Sequence, residues 1–110
     1  MEKHKMLVLI INSKMEKKAS KLIYKISPSM QFIHIGKGTA ELAVLDELGV
    51  GREPKVIMIA IIPSSLITEV LDKLDEGLNL HLPNSGIAFT LDLTAVSGLA
   101  VLKYLTGRKE

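Results

Sequence analysis

Two runs in this chain contain no polar side chain: Met6-Leu7-Val8-Leu9-Ile10-Ile11 and Val56-Ile57-Met58-Ile59-Ala60-Ile61-Ile62. Both are rich in β-branched residues and too short for a buried helix, so they read as strands. They also fall far below the ~20 apolar residues that cross a membrane. Alternate residues of a strand point to opposite faces. Met6, Val8 and Ile10 therefore oppose Leu7, Leu9 and Ile11, and Ile57, Ile59 and Ile61 oppose Val56, Met58, Ala60 and Ile62. Helices can cover one face; the other keeps six or seven apolar side chains. At ~25 cal/mol per Å², leaving that face wet forfeits several kcal/mol and creates an aggregation-prone patch. The expected cover is a second copy of the chain, so the sequence predicts a homo-oligomer.

The intervening segments complete the plan. Lys14 to Ile26 reads as an amphipathic helix, with Met15, Ala19, Leu22, Ile23 and Ile26 on one side and Lys14, Lys17, Lys18, Lys21 and Lys25 on the other. Ser13 is its expected N-cap, and Ser27-Pro28 stops it. The lysine stripe reads as a solvated face rather than an anion site. Met30 to Ile35 is a second strand. A short helix is expected from Ala40 to Leu48, capped by Thr39 and stopped by Gly49, then a loop to Pro54. After Val56–Ile62, Ser64 or Ser65 should cap a helix with Leu66, Ile67, Val70, Leu71, Leu74 and Leu78 on its apolar side. Ile87 to Leu93 alternates as a fourth strand, and Leu99 to Leu105 reads as a terminal helix before a polar tail. Strand, helix, strand, strand, helix, strand is the α+β, ferredoxin-like βαββαβ plan: one antiparallel sheet with both helices on one face. The two wholly apolar strands should be central, and those carrying Gln31, His34, Thr90 and Asp92 should be edges. The 110 residues form a single domain, 1–110.

Composition removes several functions. There is no cysteine, which excludes disulfides, thiolate metal sites and cysteine nucleophiles. The 14 basic and 12 acidic residues sum to +2, too small a charge to mark a nucleic-acid binder. The aromatics Tyr24, Phe32, Phe89 and Tyr104 lie outside the central strands, where an RNA-recognition module stacks bases. His4, His34 and His81 lack metal-ligand spacing, Asp92 has no companion acid or base, and no nucleophile elbow occurs. Lys3 and Lys5 before the first run do not make a signal peptide, because the apolar stretch is short and lacks a cleavage pattern. The expectation is a cytoplasmic, non-catalytic protein with no metal and no direct membrane insertion.

Two short stretches carry binding chemistry. Gly36-Lys37-Gly38-Thr39 runs from a strand towards a helix start, where exposed backbone N–H groups, the helix dipole and a lysine suit an anion. The same four residues would serve equally as a turn and cap. Asn84-Ser85-Gly86, before the last strand, offers similar backbone chemistry. Two such loops on adjacent subunits could clasp one small anion.

These stretches, with Pro54-Lys55-Val56, Ile61-Ile62-Pro63 and Ser85-Gly86-Ile87-Ala88-Phe89 leading to Asp92, resemble the PII-type nitrogen-regulatory signalling proteins, specifically their divergent PII-like branch. The similarity runs from Met6 to about Gly98. It implies a cytosolic homotrimer that binds an effector, usually an adenine nucleotide, in clefts between subunits. Its output would be regulation of a partner such as a membrane transporter or a metabolic enzyme, with no required cofactor. The candidate ligand-binding residues are Gly36, Lys37, Gly38, Thr39, Ile61, Asn84, Ser85 and Gly86.

The chain also departs from the family. The span Ala40 to Glu53 has no tyrosine and reads as a compact helix where the family carries a long partner-binding loop, so uridylylation is not expected. Ile87 stands in place of the lysine before the last strand, and Val96, Ser97, Gly98 and Leu99 in place of an arginine pair after it. The glutamine of 2-oxoglutarate and magnesium binding has no counterpart near Thr39 and Ala40. Lys55 is kept, but Ile59 replaces the usual acid of the third strand. An effector must therefore be held with fewer charge-assisted contacts. Two other readings use the same framework: a ligand-free structural or adaptor trimer, and a small enzyme acting on an anionic substrate in the same clefts.

Overall fold

The computed structural model describes residues 3–36, 54–82, 85–94 and 97. The expected helices 40–48 and 99–105, the loop 49–53, the polar tail, and the candidates Lys37, Gly38, Thr39 and Asn84 lie outside these residues. Within them the order is β1 (His4–Asn12), α1 (Glu16–Ile26), β2 (Gln31–Gly36), β3 (Lys55–Pro63), α2 (Ile67–Leu78) and β4 (Ile87–Asp92). The strands form one antiparallel sheet of order β2-β3-β1-β4. The two wholly apolar strands are central and the mixed ones are edges, which is the ferredoxin-like arrangement expected from the element order.

Leu7, Leu9, Ile11, Val56, Met58, Ala60 and Ile62 form the inner face of the sheet and are buried. Ala19 and Ile23 of α1 and Ile67, Val70, Leu74 and Leu78 of α2 join them in one core. The helices approach closely at Gly77, where a Cβ would lie 2.6 Å from Cδ1 of Leu22. Polar residues of the edge strands tie down the margins of this layer. Gln31 Nε2 donates to the Ser20 carbonyl of α1 at 3.1 Å, and Lys5 pairs with Asp92 at 3.4 Å.

Element ends differ from the sequence reading in ways with a local cause. β1 and β3 extend past their apolar runs, because ladder pairing continues from His4–Pro63 to Asn12–Lys55 whatever the side chains. A 3₁₀ turn, Ser13–Met15, precedes α1, and the capping side chain is that of Asn12, whose Oδ1 accepts from the Lys14 N–H at 2.9 Å. Ser13 is therefore not the helix cap; Met15 holds that position with no side-chain bond. A second 3₁₀ turn, Ser64–Leu66, moves the cap of α2 from Ser64 or Ser65 to Leu66, again with no side-chain bond. The stop at Ser27-Pro28 is as expected: Ser27 is extended, and its N–H donates to the Ile23 carbonyl at 2.8 Å. α2 ends on Asn79 in the left-handed region at φ 55°, a conformation asparagine tolerates.

Gly86 is fixed by both backbone and space. Its φ is +120°, and a Cβ there would lie 2.6 Å from the Ile10 carbonyl oxygen of the neighbouring strand. Gly86→Ala is expected to lower stability by roughly 1–3 kcal/mol, because the obstructing atom is backbone and cannot rotate away. Leu9→Ala, at a fully buried site, should cost ~2–5 kcal/mol by leaving a cavity. Urea unfolding followed by circular dichroism checks both. A Gly86→Ala protein as stable as the parent would contradict the close approach.

Candidate functional site

The two glycine-bearing corners sit at one end of the sheet. Gly36, the last residue of β2, pairs with Lys55, the first of β3, which pairs in turn with Asn12, the last of β1. On the far side of β1, Ile10 pairs with Ile87. Ser85 and Gly86, just before β4, therefore lie beyond that pair at the same end. Register thus places Gly36, Lys55, Asn12 and the Ser85-Gly86 corner along one rim. They are spread across the full width of the sheet, however. Three inter-strand steps separate Gly36 on one edge from Gly86 on the other, roughly 14 Å. One chain alone does not bring the two corners onto a single small anion.

The glycines differ in what they need. Gly86 is required by its own backbone, as shown above. A Cβ at Gly36 would meet only the side chain of Ile57, at 3.2 Å, and its φ is not positive. Ile61, also a candidate, pairs with Met6 and stands six residues along β3 from Lys55, ~20 Å from the rim at strand rise. Within one chain it does not meet the glycine corners.

Lys55 and Asn12 share the row of Gly36 and were not in the candidate set. Lys55 is only 9% exposed although it carries a cationic head, an arrangement reached by laying the stem along neighbouring surface. The sequence signal was available: Lys55 is the one charged residue opening an otherwise apolar strand. Asn12 follows the first apolar run in the same way. Their alignment with Gly36 depends on register between distant segments, which no local pattern reveals.

The outer face of the sheet is apolar across all four strands except for His34 on the β2 edge. In the ladder, Phe32, Ile59, Val8 and Phe89 form one row, His34, Ile57, Ile10 and Ile87 the next, and Ile61, Met6 and Leu91 a third. Val8 is buried at the centre by its neighbours, whereas Phe32 is 49% exposed, Leu91 49%, and Ile87 and Phe89 38% each. The edge strands thus add four large apolar residues to the six of the central strands. The sequence reading had treated the edges as the polar part of the sheet. Of the polar edge residues, only His34 lies on this outer face; Gln31, Thr90 and Asp92 face the helix side, by strand parity.

The remaining titratable groups are dispersed. His34 is exposed on β2, His81 lies 3.3 Å from Asp75 Oδ1 beyond the end of α2, and Nε2 of His4 is buried at the opposite end of β1 from the rim. Among the described residues, no group of three or more histidines and carboxylates could hold a metal ion, and no helix is long and apolar enough to cross a membrane.

The chain matches no family model and no curated protein sequence. Its architecture is nevertheless shared with solved structures. CPII from Thiomonas intermedia K12, a nitrogen regulatory PII-like protein bound to ADP, AMP and bicarbonate, is 20% identical with a TM-score of 0.62, covering 86% of this chain and 94% of that one. The same CPII bound to ADP, AMP and acetate gives a TM-score of 0.66 at 17% identity, covering 89% and 93%. Arabidopsis thaliana PII bound to citrate is 17% identical with a TM-score of 0.62, covering 84% and 78%. The ferredoxin-like sheet described above is the fold of the PII-like nitrogen-regulatory proteins, in agreement with the resemblance carried by its motifs.

Proposed function

We propose that this protein is a divergent PII-like regulator: a non-enzymatic, cytoplasmic homotrimer that binds a small anionic effector in clefts between subunits. The effector is of the adenine-nucleotide class, and its occupancy is passed to a partner such as a transporter or a metabolic enzyme. The observation that carries this reading is the apolar outer face. Fully burying a side chain such as Phe89 or Ile59 stabilises by ~1.5–3 kcal/mol, and apart from the already buried Val8 the outer face offers nine of them, each partly covered at most. Association of identical chains through this face would remove it from water.

The same association would complete the site. β2 and β4 are opposite edges of the sheet and run antiparallel to each other. A head-to-tail ring of three chains sets the β2 edge of one beside the β4 edge of the next and turns the outer faces inward. The Gly36 corner of one subunit then adjoins the Ser85-Gly86 corner of its neighbour, closing the gap that a single chain leaves open. A Cβ at Gly36 would press only on the movable end of Ile57, and a ligand approaching that backbone would be a further reason for glycine there. The bound ADP, AMP, bicarbonate and citrate of the structural neighbours are all anions, which supports the class of ligand. The segment 40–48, next along the chain from this corner and helical on the expectation from its sequence, would report occupancy, since a ligand held at the start of a helix stabilises it.

Sedimentation and calorimetry test the two halves separately. The particle should have three times the 12.0 kDa mass of the chain. Ile59→Glu, at the centre of the outer face, should reduce it to single folded chains. Titration with ADP, AMP, ATP, cyclic dinucleotides and small metabolite anions should give saturable binding to at least one. Gly38→Trp should weaken that binding by tenfold or more, about 1.4 kcal/mol, with the trimer intact. A folded, monodisperse single chain would overturn the assembly, and a trimer indifferent to every compound would leave an adaptor rather than a sensor.

A further inference from the structure

The two helices cover the inner face side by side, and their solvent sides carry opposite charge. Lys14, in the turn leading into α1, and Lys17, Lys18, Lys21 and Lys25 of the helix are all exposed. At 3.6 residues per turn the four helical lysines fall within an arc of about 100°. On α2 the exposed acids are Glu69, Asp72, Asp75 and Glu76, within an arc of about 120°. Glu76 lies 3.8 Å from Lys73 and Asp75 lies 3.3 Å from His81, while Glu69 and Asp72 project from the same side. Among the described residues none of the five lysines forms an ion pair. The helix layer therefore presents a basic half and an acidic half, divided along the seam where Gly77 meets Leu22.

We infer that this layer is a second, salt-sensitive association surface, and that its occupant is the helix layer of another copy of the protein. A two-fold axis along the seam lays α1 of one copy over α2 of the other and repeats the pairing in reverse. Each contact then holds two pairings of a lysine stripe with an acidic stripe. The helices are antiparallel within the chain, since each returns against its own strand and β1 and β3 are antiparallel, so the facing helices are antiparallel too. Single exposed ion pairs contribute little. Two complementary stripes brought together act as a patch, giving orientation and a strong dependence on ionic strength. The surface is distinct from the apolar outer face, which lies on the other side of the sheet, and the inference does not rest on ligand binding.

Sedimentation velocity of the full chain in about 20 mM and about 0.5 M NaCl provides the test, since the screening length falls between them from ~20 Å to ~4 Å. At high salt the mass reads the assembly formed through the apolar face. At low salt it should at least double. Lys17→Glu with Lys21→Glu and Lys25→Glu leaves only Lys14 and Lys18 on the first stripe and makes both halves acidic, and Asp72→Lys with Glu76→Lys makes both basic. Each variant alone should lose the low-salt increase while keeping its circular dichroism spectrum and its high-salt mass. An equimolar mixture of the two should regain it. A parent mass that does not change with salt overturns the inference, as does an increase that persists in either variant alone. A mixture that stays dissociated also overturns it, showing that the stripes do not meet across copies; the surface would then be left to an acidic or basic partner of another kind.

Discussion

The organising constraint is a sheet whose central strands are apolar on both sides. A strand of alternating character chooses its own wet face; Met6–Ile11 and Val56–Ile62 do not. The inner set is covered by α1 and α2, whose buried residues complete one core. The outer set is joined by Phe32, Ile87, Phe89 and Leu91 from the edges rather than diluted by them. Burial on the inner side holds the chain together, and the unmet demand on the outer side is the constraint on which the proposed assembly rests. The same sheet then has to do two jobs through one register, because a one-residue slip would exchange the two faces.

That register also decides what the glycine corners can do. Both lie at one end of the sheet, but the strand order β2-β3-β1-β4 sends them to opposite edges. A chain with its second and fourth strands adjacent would bring the two corners together; this one holds them three strands apart. Among the described residues no group of histidines and carboxylates could hold a metal ion. Backbone N–H groups, small side chains and Lys55 are ingredients for holding an anion, and in the proposed reading they meet only when an edge is completed by another chain.

Much of this was legible in the chain because the governing signals are local. The apolar runs marked the central strands, the 3.6-residue spacing of Leu66, Ile67, Val70, Leu74 and Leu78 marked α2, and Ser27-Pro28 marked the end of α1. Helix starts were misplaced because Asn12, Ser13, Ser64 and Ser65 are all competent caps, and the 3₁₀ turns that select among them depend on how the strand delivers the chain. The parity of the edge strands was readable, since Phe32 and Phe89 alternate with Gln31 and Thr90, but which parity met the helices was not. The row shared by Gly36, Lys55 and Asn12, and the distance of Ile61 from it, follow from pairing between segments far apart in sequence, for which a single sequence contains no record.

Charge shows the same limit in another form. The sum of +2 argues against a polyanion as the main partner, yet it conceals five lysines on one side of the molecule and four acids beside them. The placement strengthens the exclusion while changing its reason. Packed helix axes lie about 8–10 Å apart, so a polyanion broad enough to cover the α1 stripe must also lie against Glu69 and Asp72 of α2. Attraction and repulsion then act on the same ligand. The surface that escapes this conflict is one with both signs in the mirrored order. A helix layer like this one, turned over, has that order, which is why the charge pattern selects a copy of the chain over a nucleic acid.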